Sequence, residues 1–174
     1  MKYTSIDSQL FIENRKKFAA QLPPNSMAIL LASDEMPRSA DQAFVFRQNP
    51  DLFWLTGIDQ EKTILIIYPD CPNPMYRETL FLRKTNEIIA VWEGHKYTKE
   101  EAKAASGIDK INWEETFAEI LPSLMTYCDQ VFLNLNENDR AANEVPYKDI
   151  RFANELKYSY PAHSIKRLGP IMSK

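Results

Sequence analysis

Two unbroken apolar runs constrain this chain most. "MAILLA" spans Met27 to Ala32, and "TILIIYP" spans Thr63 to Pro69. Neither alternates between apolar and polar residues. A strand with one wet face would alternate; a run apolar on both faces has to be covered on both. The second run is rich in β-branched residues and suits the middle of a sheet. These runs call for an α/β domain, a mixed β-sheet flanked by helices on both faces.

The remaining pattern supplies the other elements. Asp7 or Ser8 can cap a first helix whose inner stripe is Phe11, Phe18, Ala19 and Leu22, and "LPPN" stops it. "DLFWLTG", Asp51 to Gly57, reads as a strand closed by glycine. "TLFLR", Thr79 to Arg83, pairs as a hairpin with the preceding strand across the turn residues "DCPNP". Thr98 with Glu101 forms a capping box for a short helix ending near Gly107. "DKIN", Asp109 to Asn112, is a small edge strand. Asn112 then caps a helix carrying Trp113, Phe117, Ile120, Leu121, Leu124 and Met125, which Pro122 kinks or splits. "QVFLNL" at Gln130 to Leu135 is a strand, "NENDRAANE" a polar loop, and Pro146 opens a last helix running to about Tyr158. The expected order is α-β-β-β-β-α-β-α-β-α. One domain, residues 1–174, fits the length, and no internal repeat stands out.

Composition narrows the partners. A net charge of −3 gives no electrostatic footprint for nucleic acid or an anionic membrane. The cluster Asn14-Arg15-Lys16-Lys17 lies in the first amphipathic helix and reads as a solvated face. No apolar run approaches a membrane span, and the amino terminus has no signal-peptide core. Cys71 and Cys128 are far apart and form no cysteine framework, which fits a reducing, cytoplasmic setting.

Chemical motifs are sparse. The four glycines, Gly57, Gly94, Gly107 and Gly169, are too scattered for a phosphate loop. His95 and His163 lack metal-ligand spacing, and His95 reads as a surface residue. Ser39 has no nucleophile-elbow context. Asp34, Glu35, Asp41, Asp51, Asp59 and Glu61 gather around expected strand ends, where a metal-dependent hydrolase could collect ligands. Acidic loop caps are the ordinary reading of such residues.

One stretch is distinctive. "RSADQAFVFRQNPDLFWLTGI", Arg38 to Ile58, crowds aromatic rings among arginines and aspartates. It resembles the signature of the N-terminal domain of aminopeptidase P, the Xaa-Pro aminopeptidases of the creatinase/prolidase family. Arg38, Ser39, Asp41, Phe46, Arg47, Gln48, Asn49, Asp51, Phe53, Trp54, Thr56 and Gly57 carry the likeness. "RKTNEIIAVWEGHKYTKEEA", Arg83 to Ala102, resembles that domain's segment ending in Trp-x-Gly; Glu93 and His95 depart from many relatives.

The resemblance implies the same α/β fold and a non-catalytic role. The family's chemistry belongs to a second, pita-bread domain with two divalent metals, commonly manganese. That domain removes the amino-terminal residue from peptides with proline in second position. Its ligand motifs do not occur here, and the end at Ser173-Lys174 falls about where it would begin. The implied partners are that catalytic domain, further copies in a homo-oligomer and, for the whole enzyme, proline-containing peptides. Asp41 and Trp92 sit in loops that would border the substrate cleft of a neighbouring subunit. Arg38, Arg47, Asp51, Trp54 and Gly57 form the structural motif, with Arg47 placed to bridge Asp51 or Asp41. Phe44, Phe46, Phe53 and Leu55 read as core or half-core. Two rival readings are a free-standing binding or scaffold protein of the same fold, and a hydrolase using the strand-end carboxylates with a metal.

Overall fold

The computed structural model describes residues 6–86, 94–135 and 145–173. The apolar runs become neighbouring strands. β1 (Ser26–Leu31) and β4 (Ile64–Ile67) pair antiparallel, with Ala28 opposite Ile67 and Leu31 opposite Ile64. β5 (Glu78–Leu82) returns antiparallel beside β4, as the hairpin reading expects. β6 (Lys110–Trp113) lies parallel to β5 at one edge; β7 (Gln130–Leu133) lies parallel to β1, and β8 (Ser164–Arg167) parallel to β7 at the other. The sheet order is β6-β5-β4-β1-β7-β8. β2 (Pro37–Ser39) and β3 (Gln42–Ala43) form a separate hairpin.

Alternate residues of each central strand feed two cores. Ala28, Leu30, Leu65, Ile67, Leu80 and Leu82 face α1 (Ser8–Ala19), α2 (Pro50–Thr56), α3 (Lys99–Ser106) and the short α6 (Gly169–Met172). Met27, Ile29, Leu31, Ile66, Phe81 and Val131 face α4 (Phe117–Met125) and α5 (Lys148–Ser159). Both faces are therefore covered, and continuous burial along β1 follows from that.

Several expectations need correction. Asp51 to Gly57 is not a strand: the α2 helix starts at Pro50, with Asn49 as N-cap and Gly57 as the left-handed C-cap. Cap chemistry at both ends overrides the strand preference of the aromatic residues between them. Asn112 caps nothing; it stays in β6, and a 3-10 turn (Glu114–Thr116) separates it from α4, which runs unsplit through Pro122. The helix expected from Pro146 begins at Lys148, and the chain end adds β8 and α6. The capping box forms as read, with Thr98 Oγ1 accepting the Glu101 N–H at 3.1 Å and Glu101 accepting the Thr98 N–H at 2.9 Å. "NENDRAANE" lies outside the described residues.

The basic cluster on α1 divides. Lys16 and Lys17 are exposed, but Asn14 is buried and Arg15 is only 1% exposed. Arg15 Nη1 donates to the carbonyls of Leu55 and Ser106, both at 2.9 Å, and Nε donates to Glu78 at 2.9 Å. Leu55 and Ser106 stand at the carboxyl ends of α2 and α3, where helices leave carbonyls unpaired and favour a cation. One buried guanidinium thus joins two helix ends to α1. Burial is tolerable because its donors meet acceptors.

The two joined ends carry matching tetrapeptides, Thr56-Gly57-Ile58-Asp59 and Ser106-Gly107-Ile108-Asp109, which differ only in which hydroxyl residue comes first. In each, the hydroxyl donates back one helical turn at 2.7 Å and accepts the isoleucine N–H at 3.1 Å. Each glycine has φ of 71°. A Cβ on Gly57 would lie 2.4 Å from the Phe11 ring, and one on Gly107 2.6 Å from Ile12. Both glycines allow α1 to lie directly on the turns, which is why substitution there is doubly unfavourable.

Candidate functional site

The signature stretch divides at Gln48. From there to Gly57 its polar groups serve the fold. Gln48 Nε2 donates to the carbonyls of Ile58, at 3.1 Å, and Gln60, at 2.9 Å, while its Oε1 accepts the Asn49 N–H. Asn49 Oδ1 accepts the N–H groups of Asp51 and Leu52 and the side-chain amide of Asn134. Asn134 also donates to Asp51 Oδ2 at 2.8 Å, which ties α2 to the end of β7. The expected Arg47 bridge is absent among the described residues: as the second residue of a helix, Asp51 turns to Asn134, and Arg47 is exposed. Trp54 lies on the outer side of α2, half exposed, and its carbonyl accepts Asn14 Nδ2 at 2.9 Å.

The other half forms a projecting arm. β2 and β3 are joined by the two-residue turn Ala40-Asp41, with Ala40 at φ 50°. Every residue from Glu35 to Val45 is exposed, including Arg38 and Asp41. Phe44, expected as core or half-core, is instead 60% exposed; it follows β3 on the arm, beside exposed Met36 and Val45. Phe46 and Phe53 are half-buried and Leu55 is buried, as expected. Trp92 lies outside the described residues.

The strand-end carboxylates do not converge on a shared site. Asp34 accepts from Arg151 Nη2 at 2.6 Å and from the Lys148 N–H at 3.0 Å, so it anchors the start of α5. Glu61 is held by Lys96 and Arg83. Among the described residues no group of three histidine, cysteine or acidic side chains could hold a metal ion. His95 is exposed and sits 3.1 Å from Glu101 on the capping box.

One carboxyl stands apart, and sequence reasoning missed it. Asp149, in the first turn of α5, is 5% exposed. Burial pushes it up to about 7, against the pull of Lys148 and of backbone N–H groups, including that of Asn134. Its Oδ1 has no hydrogen-bond partner. The thiols are inert: burial raises Cys71, and it pushes Cys128 up to about 11, so neither offers thiolate near neutral pH. No helix among the described residues is long and apolar enough to cross a membrane.

Comparison with known proteins places these observations. The family model for the N-terminal domain of aminopeptidase P matches residues 11–132. The Xaa-Pro aminopeptidase of Escherichia coli K12 is 25% identical over 148 residues, 84% of this chain and 32% of that protein. Xaa-Pro aminopeptidase 3 of Dictyostelium discoideum is 28% identical over 99 residues, 57% of this chain and 19% of that protein. A Bacillus anthracis structure assigned as an aminopeptidase P superposes with a TM-score of 0.86 at 27% identity, covering 96% of this chain and 39% of that one. E. coli aminopeptidase P, solved with the inhibitor Pro-Leu, superposes at 0.75 over 97% of this chain and 38% of its own; at 21% identity it supports the fold alone. The chain spans between about a fifth and a third of the length of the curated relatives it matches. With the signature, the mixed sheet and the family match in agreement, this chain belongs to the aminopeptidase P N-terminal domain family.

Proposed function

We propose that this domain serves a cytoplasmic Xaa-Pro aminopeptidase, an enzyme that removes the amino-terminal residue from peptides with proline in second position. In this reading the domain is not itself catalytic. A separate catalytic domain supplies two divalent metals, manganese in the first instance, and metal-bound water does the hydrolysis. This domain contributes to a homo-oligomer and to the border of the substrate entrance. Asp41 and Trp92 are the residues assigned to that border, facing a neighbouring subunit.

The observation that carries the reading is the divided signature. Its second half is consumed by internal bonds, while Arg38, Asp41 and Arg47 are exposed on or beside a projecting arm. Exposed arginine and aspartate without a folding duty suit contact with another chain. An indole at Trp92 suits stacking on a prolyl ring.

The test uses the native protein, captured from its source cells by an antibody to this domain. We expect the captured protein to exceed twice the 20.2 kDa of this chain and to cleave a Xaa-Pro peptide until a chelator is added. The isolated 174-residue chain with manganese should leave that peptide intact. Captured protein of 20.2 kDa that lacks the activity would overturn the proposal and favour a free-standing binding role.

A further inference from the structure

The projecting arm has little of its own to hold it. Its strands are three and two residues long, they pair with a register shift, and Ala40 takes a left-handed φ at the turn. One further backbone bond lies below them, from the Phe44 N–H to the Met36 carbonyl at 2.9 Å. A two-stranded hairpin without a covering layer is marginal in water. The direction of this one is therefore set at its two feet, Asp34 and Asn49.

Each foot is a helix cap. Asn49 caps its own helix, α2, and accepts the Asn134 side-chain amide at 3.1 Å. Asp34 caps a helix 114 residues away. Tyr147, at the cap position of α5, makes no side-chain cap bond, so the first N–H groups of that helix need another acceptor. Asp34 Oδ2 accepts the Lys148 N–H at 3.0 Å, and the two carboxylate oxygens take the Arg151 fork at 2.6 and 3.3 Å. A carboxylate there also meets the favourable end of the helix dipole. The Asp34 side chain is 26% exposed and that of Arg151 46%, so charge alone would count for little; the fork and the cap fix a direction.

The two caps are joined behind the arm. The Asn134 N–H bonds the Asp149 carboxyl in the first turn of α5, and the Asn134 side chain holds Asn49 and Asp51 at the start of α2. Asp34, α5, Asn134 and Asn49 thus form a ring that the arm closes.

We propose that Asp34 is a positioning residue for the arm, capping α5 from outside and so fixing the direction in which the hairpin carries Asp41. Only the functional meaning of that direction rests on the reading of Asp41 as a residue of the substrate border. The clamp itself stands on the bonds of Asp34 to Lys148 and Arg151.

The test uses the whole chain with two nitroxide labels, on Gln42→Cys in the arm and Lys17→Cys on α1, diluted with unlabelled chain so that each distance lies within one molecule. Both positions are exposed, whereas Cys71 and Cys128 are buried and stay unlabelled. Pulsed dipolar spectroscopy then reads the distance between arm and body. Asp34→Ala should widen that distribution by about twofold or more while amides of β1 and β4 keep their exchange rates, the signature of a local release. The Lys148 amide should exchange about tenfold faster, since its acceptor is gone. An unchanged width would overturn the proposal whatever happens at Lys148, because loss of a cap alone would move only the amide. A uniform rise in exchange across the sheet would overturn it too, by reducing Asp34 to general stability. If Asp34→Ala fails to fold, Arg151→Met removes the fork and should widen the distribution likewise, with an unchanged width counting equally against the proposal. None of these readouts involves peptide turnover, so failure of the peptidase reading would leave them untouched.

Discussion

Between Gln48 and Gly57 the side chains of Gln48, Asn49, Asp51 and Thr56 are bound within the fold, whereas those of Arg38, Asp41 and Arg47, a few residues earlier, are exposed. The two halves are continuous in sequence, and both arginines lie in the first. One fixes α2 against α1 and β7; the other leaves the body as an arm. A motif can therefore have two physical causes at once, and substitutions should separate them into a stability class and a function class.

The largest effect should come from the anchor of the inner half. Arg15→Met strands the carbonyls of Leu55 and Ser106 and leaves Glu78 without its partner. Removing one member of a buried charged network costs about 3–5 kcal/mol, read as a lowered urea midpoint. Gly57→Ala should follow at about 2 kcal/mol, because a left-handed φ and the Phe11 ring both oppose a Cβ. Gly107→Ala meets Ile12, whose aliphatic end gives way more readily than a ring, and should cost less. Equal losses at the two glycines would mean that strain in φ dominates over the contact.

Asp149 sharpens the comparison at the far end of the same network, where the Asn134 N–H bonds it. Its folded value lies above the ordinary carboxyl value, so the folded protein holds the proton more tightly than the unfolded chain. The associated stability is fully present below about 4 and is lost as pH rises through about 7. A single proton gives a slope of at most about 1.4 kcal/mol per pH unit. Asp149→Asn should flatten thermal stability between pH 5 and 8, raising it at pH 8 relative to the parent. An unchanged slope would mean that Asp149 is ionised in the fold.

The sequence made the sheet legible and much of the network illegible, for a physical reason. Continuous apolar runs at β1 and β4 have one economical environment, and the capping box at Thr98 is a purely local bargain between neighbours. The α2 helix carried its own punctuation too: Asn49 before Pro50, and Gly57 at the end. Its short aromatic interior drew the strand reading instead. Arg15 offered no such signal. Its acceptors lie 40, 63 and 91 residues away, and only the packed fold shows that a basic helix position faces inward. Asp149 was hidden likewise. Asp41 stands at an exposed hairpin tip.

Asn49→Ala should cost about 1 kcal/mol, the usual value of an N-cap, since Asn134 retains Asp51. The smallest stability effect is the most informative. Arg38→Ala, Asp41→Ala and Arg47→Ala remove exposed side chains that bond to none of the described residues, so each should shift stability by no more than about 0.5 kcal/mol. If the arm serves another chain, the same three changes should weaken self-association by sedimentation, or lower turnover of a Xaa-Pro peptide by the proposed full-length enzyme. Asp41→Ala should act most strongly on turnover, the role proposed for it, and Arg38→Ala or Arg47→Ala on association, where a guanidinium fork suits a carboxylate of another chain. Loss of stability in any of the three would move that residue to the inner class. No change in stability, association or turnover would leave the arm without a role and break the division of the signature on which the functional reading depends.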